Sequence, residues 1–164
     1  MMTPEKPALH TDFPSLDEHQ IVILVAEDEV MIRNLVTILM QSEGYFVLSA
    51  SDGQEGLVLS RKYPGAIDLL ITDWLMPRLN GSDLCSHLLE ERPGIKVLVM
   101  TGADMSEIVD QNVNLPFLPK PFDGETLKKR VWTLLAAPAQ PPKVEQAGLQ
   151  SWLVAERAWE SQRE

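Results

Sequence analysis

Apolar runs of strand length alternate along the chain with longer stretches whose apolar residues recur every three or four positions. Residues 21–26 form a continuous apolar run, and 30–42 follow with Ile32, Leu35, Val36 and Leu39 on one helical face. Gly44 stops that helix, and residues 45–50 predict a second strand. Asp52 is placed to cap a helix through Lys62, closed by Tyr63-Pro64-Gly65. Residues 67–72 predict a third strand, 82–91 a helix ended by Pro93-Gly94, and 95–100 a fourth strand. A short helical stretch with Met105, Ile108 and Val109 apolar comes next, then a brief fifth strand over 116–118. Asp123 caps a last helix with Leu127, Val131, Leu134 and Leu135 on a shared face.

Strands that alternate with helices in this way pair in parallel through right-handed crossovers. Near-continuous apolar strands imply a sheet covered on both faces, a doubly wound α/β architecture. In such sheets, sites lie beyond the carboxyl ends of the strands. Glu27, Asp28, Asp73, Thr101 and Lys120 all stand at such ends.

The ends of the chain differ from this core. Residues 1–19, with Pro4, Pro7 and Pro14, read as a loose leader, and 20–136 as the folded domain. Residues 137–143 form a Pro-rich linker. Residues 144–164 look helical, with Leu149, Trp152, Ala155 and Trp159 near one face. A lone helix of that length is marginal in water, so it needs something to pack on.

Composition narrows the setting. A chain of 164 residues fits one domain with a surplus at its ends. The lone Cys85, on the third predicted helix, excludes an intramolecular disulfide and fits a structural role in a reducing compartment. There is neither a membrane-length apolar run nor a secretory leader, so a cytoplasmic location is expected. A formal charge of −10 without a basic cluster argues against nucleic acid, and the C-terminal segment is too short and acidic for a helix-turn-helix. The expected partner is another protein.

Each residue at the strand ends has a plain reading. Glu27-Asp28-Glu29 suits an acidic helix start, Thr101-Gly102 a turn, Lys120 a surface lysine and Asp73 a loop cap. Their convergence points elsewhere. A nucleophilic carboxylate, two further acids, a hydroxyl and an amine suit acceptance of a phosphoryl group, where catalysis is mainly positioning and charge neutralisation. Hard oxygen ligands select Mg²⁺ for that neutralisation.

The segments Ile23-Leu24-Val25-Ala26-Glu27-Asp28-Glu29, Thr72-Asp73-Trp74-Leu75-Met76-Pro77 with Asn80-Gly81, Val99-Met100-Thr101-Gly102, and Leu118-Pro119-Lys120-Pro121-Phe122 together resemble the receiver domains of two-component response regulators. The resemblance spans roughly residues 20–136. It implies a flavodoxin-like sheet of strand order 2-1-3-4-5. It implies Asp73 as phosphoacceptor, charged by a sensor histidine kinase or a histidine phosphotransfer protein, with an unknown protein downstream. Asp28, Asp73 and the Leu75 carbonyl would hold Mg²⁺ directly, and Glu27 through water. Lys120 would pair with the acids when the pocket is empty and with the phosphoryl group when it is charged. The bond between Lys120 and Pro121 would be cis. Thr101 would donate to a phosphoryl oxygen, Gly102 would leave room for it, and Phe117 would occupy the aromatic switch position.

Two departures qualify the likeness. The stretch from Thr101 to Lys120 is about three residues shorter than in common receivers, as in those serving hybrid sensor kinases. Leu75 and Ala103 offer no polar group to orient a water, which implies slow self-hydrolysis. Dimerisation would use the C-terminal helix or the face of the predicted fourth and fifth helices. Competing readings are an aspartyl-phosphate phosphatase and a receiver-like module that binds without phosphorylation. The first wants an acid where Leu75 stands, and the intact acids, Thr101 and Lys120 disfavour the second. The glycine-rich turn of a dinucleotide enzyme is replaced by Ala26-Glu27-Asp28.

Overall fold

The computed structural model describes residues 20–102 and 115–138. The expected leader, the helical stretch around Met105–Val109, most of the linker and the C-terminal helix lie outside the described residues.

Five parallel strands are β1 (Val22–Ala26), β2 (Phe46–Ala50), β3 (Leu69–Asp73), β4 (Lys96–Thr101) and β5 (Phe117–Pro119), in the order β2-β1-β3-β4-β5. Four described helices connect or follow them: α1 (Val30–Ser42), α2 (Gly53–Lys62), α3 (Gly81–Glu91) and α4 (Gly124–Ala136). This is the flavodoxin-like sheet. The strands are apolar throughout because alternate residues enter two different cores. Leu24, Ala26, Leu48, Ala50, Leu70, Val97 and Val99 meet α2 and α3, packing on Leu57, Leu84 and Leu88. Ile23, Val25, Leu69, Ile71, Leu98, Met100 and Leu118 meet α1 and α4, packing on Val36, Met40, Leu127 and Val131.

Local chemistry sets the boundaries. Asp52, Asn80 and Asp123 cap α2, α3 and α4, each accepting from the backbone N–H three residues on. Gly44, at φ +88°, ends α1 where any other residue would be strained. β3 starts at Leu69, later than the apolar run; Asp68 just before it is still tied to β1, its N–H donating to the Val22 carbonyl and its carboxylate accepting from the Val22 N–H, both at 2.8 Å. One expectation fails. Leu35 is half exposed, and the buried positions of α1 are Val36 and Met40, flanked by Ile32 and Leu39.

Arg92 ties α2 to α3. Its guanidinium donates to the Ser60 hydroxyl (2.9 Å) and to the carbonyls of Ser60 (2.7 Å), Tyr63 (2.9 Å) and Gly65 (2.8 Å), filling acceptors that the end of α2 leaves open. Arg92→Ala should cost about 3 kcal/mol in urea denaturation, because several charge-assisted bonds are lost together. A loss under about 0.5 kcal/mol would mean that water replaces them freely.

Cys85 is buried on α3, and burial pushes its thiol up from 9.0 to about 12. The unfolded thiol ionises from pH 9.0 while the folded one stays protonated to about 12. Stability therefore falls in that window by about 1.4 kcal/mol per pH unit on account of this residue. The alkaline loss should be shallower in Cys85→Ala; equal slopes would rule the effect out.

Candidate functional site

The acidic pocket forms where β1 and β3 end. The Glu27 N–H donates to the Ala50 carbonyl at 3.1 Å, which carries the sheet pairing one residue past β1. Glu27 is wholly buried, and its Oε1 accepts from the Glu29 N–H at 3.0 Å. Arg33, one turn into α1, donates to the Glu27 carbonyl at 2.8 Å. Asp28 stands exposed at the pocket mouth, and Asp73, the last residue of β3, is half-buried below it. One carboxylate oxygen from each of Glu27, Asp28 and Asp73 lies within 4.8 Å of the others.

Lys120 closes the pocket from the other side. It follows β5, its N–H donates to the Thr101 carbonyl at 2.8 Å, and the bond between Lys120 and Pro121 is cis. Its Nζ donates to Glu27 Oε2 at 2.8 Å and to Asp73 Oδ2 at 3.1 Å. Thr101, the last residue of β4, is buried. Phe117 is partly buried against the α2/α3 core, opposite Val99 in the sheet register. Gly102 is exposed, and an added Cβ there would only touch that of Lys120 at 3.9 Å. Glu27, Asp28, Asp73, Thr101 and Lys120 thus stand at one end of the sheet, whereas Phe117 opens β5 and packs against the core.

Burial raises Glu27 above the usual carboxylate range, reinforced by the Asp73 charge and opposed by its bonds to Lys120 and the Glu29 N–H. Burial alone would lower Lys120, but its hydrogen bonds to Glu27 and Asp73, with their charges, outweigh it and hold the amine above its normal value. Packing three carboxylates against one ammonium leaves an excess of negative charge. An all-oxygen cluster of that kind suits a small hard divalent cation.

The loop from Asp73 to Gly81 is clamped at both ends. The Trp74 N–H donates to the Met100 carbonyl (3.2 Å), the Gly81 N–H to the Trp74 carbonyl (2.9 Å), and the Gly53 N–H to the Leu79 carbonyl (3.1 Å). Arg78 takes a left-handed backbone, φ 67°, and its guanidinium pairs with the Asp52 carboxylate. Asp52 is therefore both the cap of α2 and an anchor for the loop. The sequence pattern identified the cap but carries no signal for the Arg78 pairing. Leu75, two residues after Asp73 in this loop, is 63% exposed.

The profile of the response regulator receiver domain matches residues 23–132. The chain belongs to this family. Among curated relatives, the alkaline phosphatase synthesis transcriptional regulatory protein SphR of Synechococcus elongatus is 33% identical, over 74% of this chain and 53% of its own. The sensor kinase CckA of Brucella abortus is 30% identical, over 69% of this chain and 12% of its own. Among solved structures, the receiver domain of the hybrid histidine kinase CckA is 35% identical, with a TM-score of 0.60 over 70% of this chain and 98% of that one. A receiver domain from Clostridium thermocellum is 29% identical, with a TM-score of 0.63 over 70% and 94%. The chain spans about half the length of several of the curated regulators it matches, 46% of one and 53% of another. As a receiver of two-component signalling, it has the sheet order expected from its motifs.

Proposed function

We propose that Asp73 accepts a phosphoryl group from a phosphohistidine on a partner protein and that the charged pocket switches protein contacts. The observation that carries this reading is the meeting of Glu27, Asp28, Asp73 and Lys120 at the ends of strands that are remote in sequence. A carboxylate oxygen of Asp73 attacks phosphorus as the bond to the donor imidazole breaks, and the Asp73 acyl phosphate is the product. Bound Mg²⁺ supplies the charge neutralisation that lets two anions meet. Asp28, Asp73 and the Leu75 carbonyl would ligate it directly, with Glu27 acting through water.

Lys120 serves the same end from the protein side. Its ammonium balances Glu27 and Asp73 before transfer and turns to a phosphoryl oxygen afterwards. Thr101 donates its hydroxyl to another phosphoryl oxygen, and Phe117 repacks as Thr101 moves. Phe lacks the hydroxyl of Tyr, so that response is by packing alone. Gly102 leaves space for the incoming group. The partner upstream is a sensor kinase or histidine phosphotransfer protein, the setting cytoplasmic, and the product of the reaction a signal.

A small acyl phosphate with Mg²⁺ tests this directly. The expected result is a single hydroxylamine-labile phosphoryl group on Asp73, dependent on the cation; modification without Mg²⁺ or at another residue would sink the proposal. The lifetime of that group tests Leu75. Its apolar side chain offers no hydrogen bond to an attacking water, so Leu75→Asn should hasten phosphate release about tenfold. Unchanged decay would remove Leu75 from the account.

A further inference from the structure

The outer side of α1 is as apolar as its inner side. Met31 is 81% exposed, Ile38 62% and Leu35 48%, and at 100° per residue they form one stripe. The stripe lies on the flank of α1 that also carries Leu39, which reaches Gly124 of α4. Lys128 of α4 meets Glu43 just past the end of α1 at 3.2 Å, so the two helices run side by side in parallel. One turn beyond Lys128, on the same flank, Trp132 is 69% exposed. The stripe and, beyond the end of α1, Trp132 therefore line one shallow outer furrow, roughly 24 Å long at 1.5 Å per residue, in which α1 and α4 themselves overlap only from Leu39 beside Gly124 to Glu43 beside Lys128.

The chain leaves α4 at the Trp132 end of this furrow, at Ala136. Beyond it come a linker with Pro138, Pro141 and Pro142 and the amphipathic stretch bearing Leu149, Trp152 and Trp159. Seven linker residues reach about 20 Å, enough to reverse direction. A helix from Leu149 to Trp159 covers about 15 Å, within the furrow. We propose that residues 144–162 fold back as a helix into the α1/α4 furrow, laying Leu149, Trp152 and Trp159 on Met31, Leu35, Ile38 and Trp132. The far end of that helix borders the pocket, because Met31 lies three residues after Asp28. A protein-sized phosphoryl donor then shares this surface with the segment, whereas a small acyl phosphate does not. That last consequence rests on the function proposed above; the docking does not.

A nitroxide on the full-length Ser161→Cys chain tests the docking, since buried Cys85 does not compete for the label. Amide signals of the first half of α1 should be broadened and those on the outer faces of α2 and α3 should not. Ile38→Glu, at an exposed site that leaves the core intact, should abolish most of the broadening. Broadening elsewhere, none at all, or none lost in Ile38→Glu would overturn the proposal. In a mixture of spin-labelled chains and separate ¹⁵N-labelled chains, broadening of α1 would overturn it in favour of a second copy as occupant.

Discussion

Asp73→Asn should lose phosphoryl acceptance from a small acyl phosphate to background while gaining stability without metal. The two signs have separate causes. Asn keeps an oxygen that accepts from Lys120 in place of Oδ2, so the fold around the amine persists, but the amide is no nucleophile. It also removes one of three clustered negative charges. Two like charges at 4 Å repel by about 4 kcal/mol at an effective dielectric of 20, a figure that Lys120 already offsets in large part. A net gain of about 1 kcal/mol in denaturant is therefore the expected size. Glu27 loses the Asp73 contribution to its raised pKa and moves back toward the ordinary range. Phosphorylation of Asp73→Asn at the wild-type rate would move the acceptor elsewhere, and lower stability would mean that Asp73 is needed chiefly to hold Lys120.

The sheet was legible because its inner strands are buried on both faces and so read as short, nearly continuous apolar runs between turn signals. The pocket was legible because Glu27, Asp28, Asp73, Thr101 and Lys120 each sit within two residues of such a run's end. What escaped the pattern was decided by contacts distant in sequence. α1 carries two apolar stripes, and periodicity cannot say which of them meets the sheet; Leu35 belongs to the outer one. Asp68, at the edge of β3, holds Val22 through both its backbone N–H and its carboxylate, a contact across 46 residues. Arg78 pairs with Asp52 across 26 residues from a left-handed backbone, a conformation that no propensity assigns to arginine.

That loop also sets the cost of Gly81→Ala, the second large effect. Gly81 opens α3, where helix propensity alone favours Ala over Gly by at most about 1 kcal/mol. A Cβ there would stand 1.9 Å from the Asp73 carbonyl oxygen, 2.9 Å from its carbon and 3.0 Å from the Trp74 Cα. An unstrained C···O approach is about 3.3 Å, so the end of β3 or the start of α3 must move by more than an ångström. Both partners are backbone and neither has a rotamer to yield. Overpacking of this kind costs about 3 kcal/mol, which exceeds the propensity gain and reverses its sign. The residue displaced is Asp73 itself. A misplacement of about 1 Å can cost on the order of 100-fold in rate, so Mg²⁺-dependent phosphorylation should fall by about that factor. Gly94→Ala is the control, because nothing lies within 4 Å of a Cβ there. It should leave both stability and phosphorylation near wild type. A higher melting temperature for Gly81→Ala would mean that α3 slides freely along the loop, and the clamp on the pocket would then have to be sought in Arg78 and Asp52 alone.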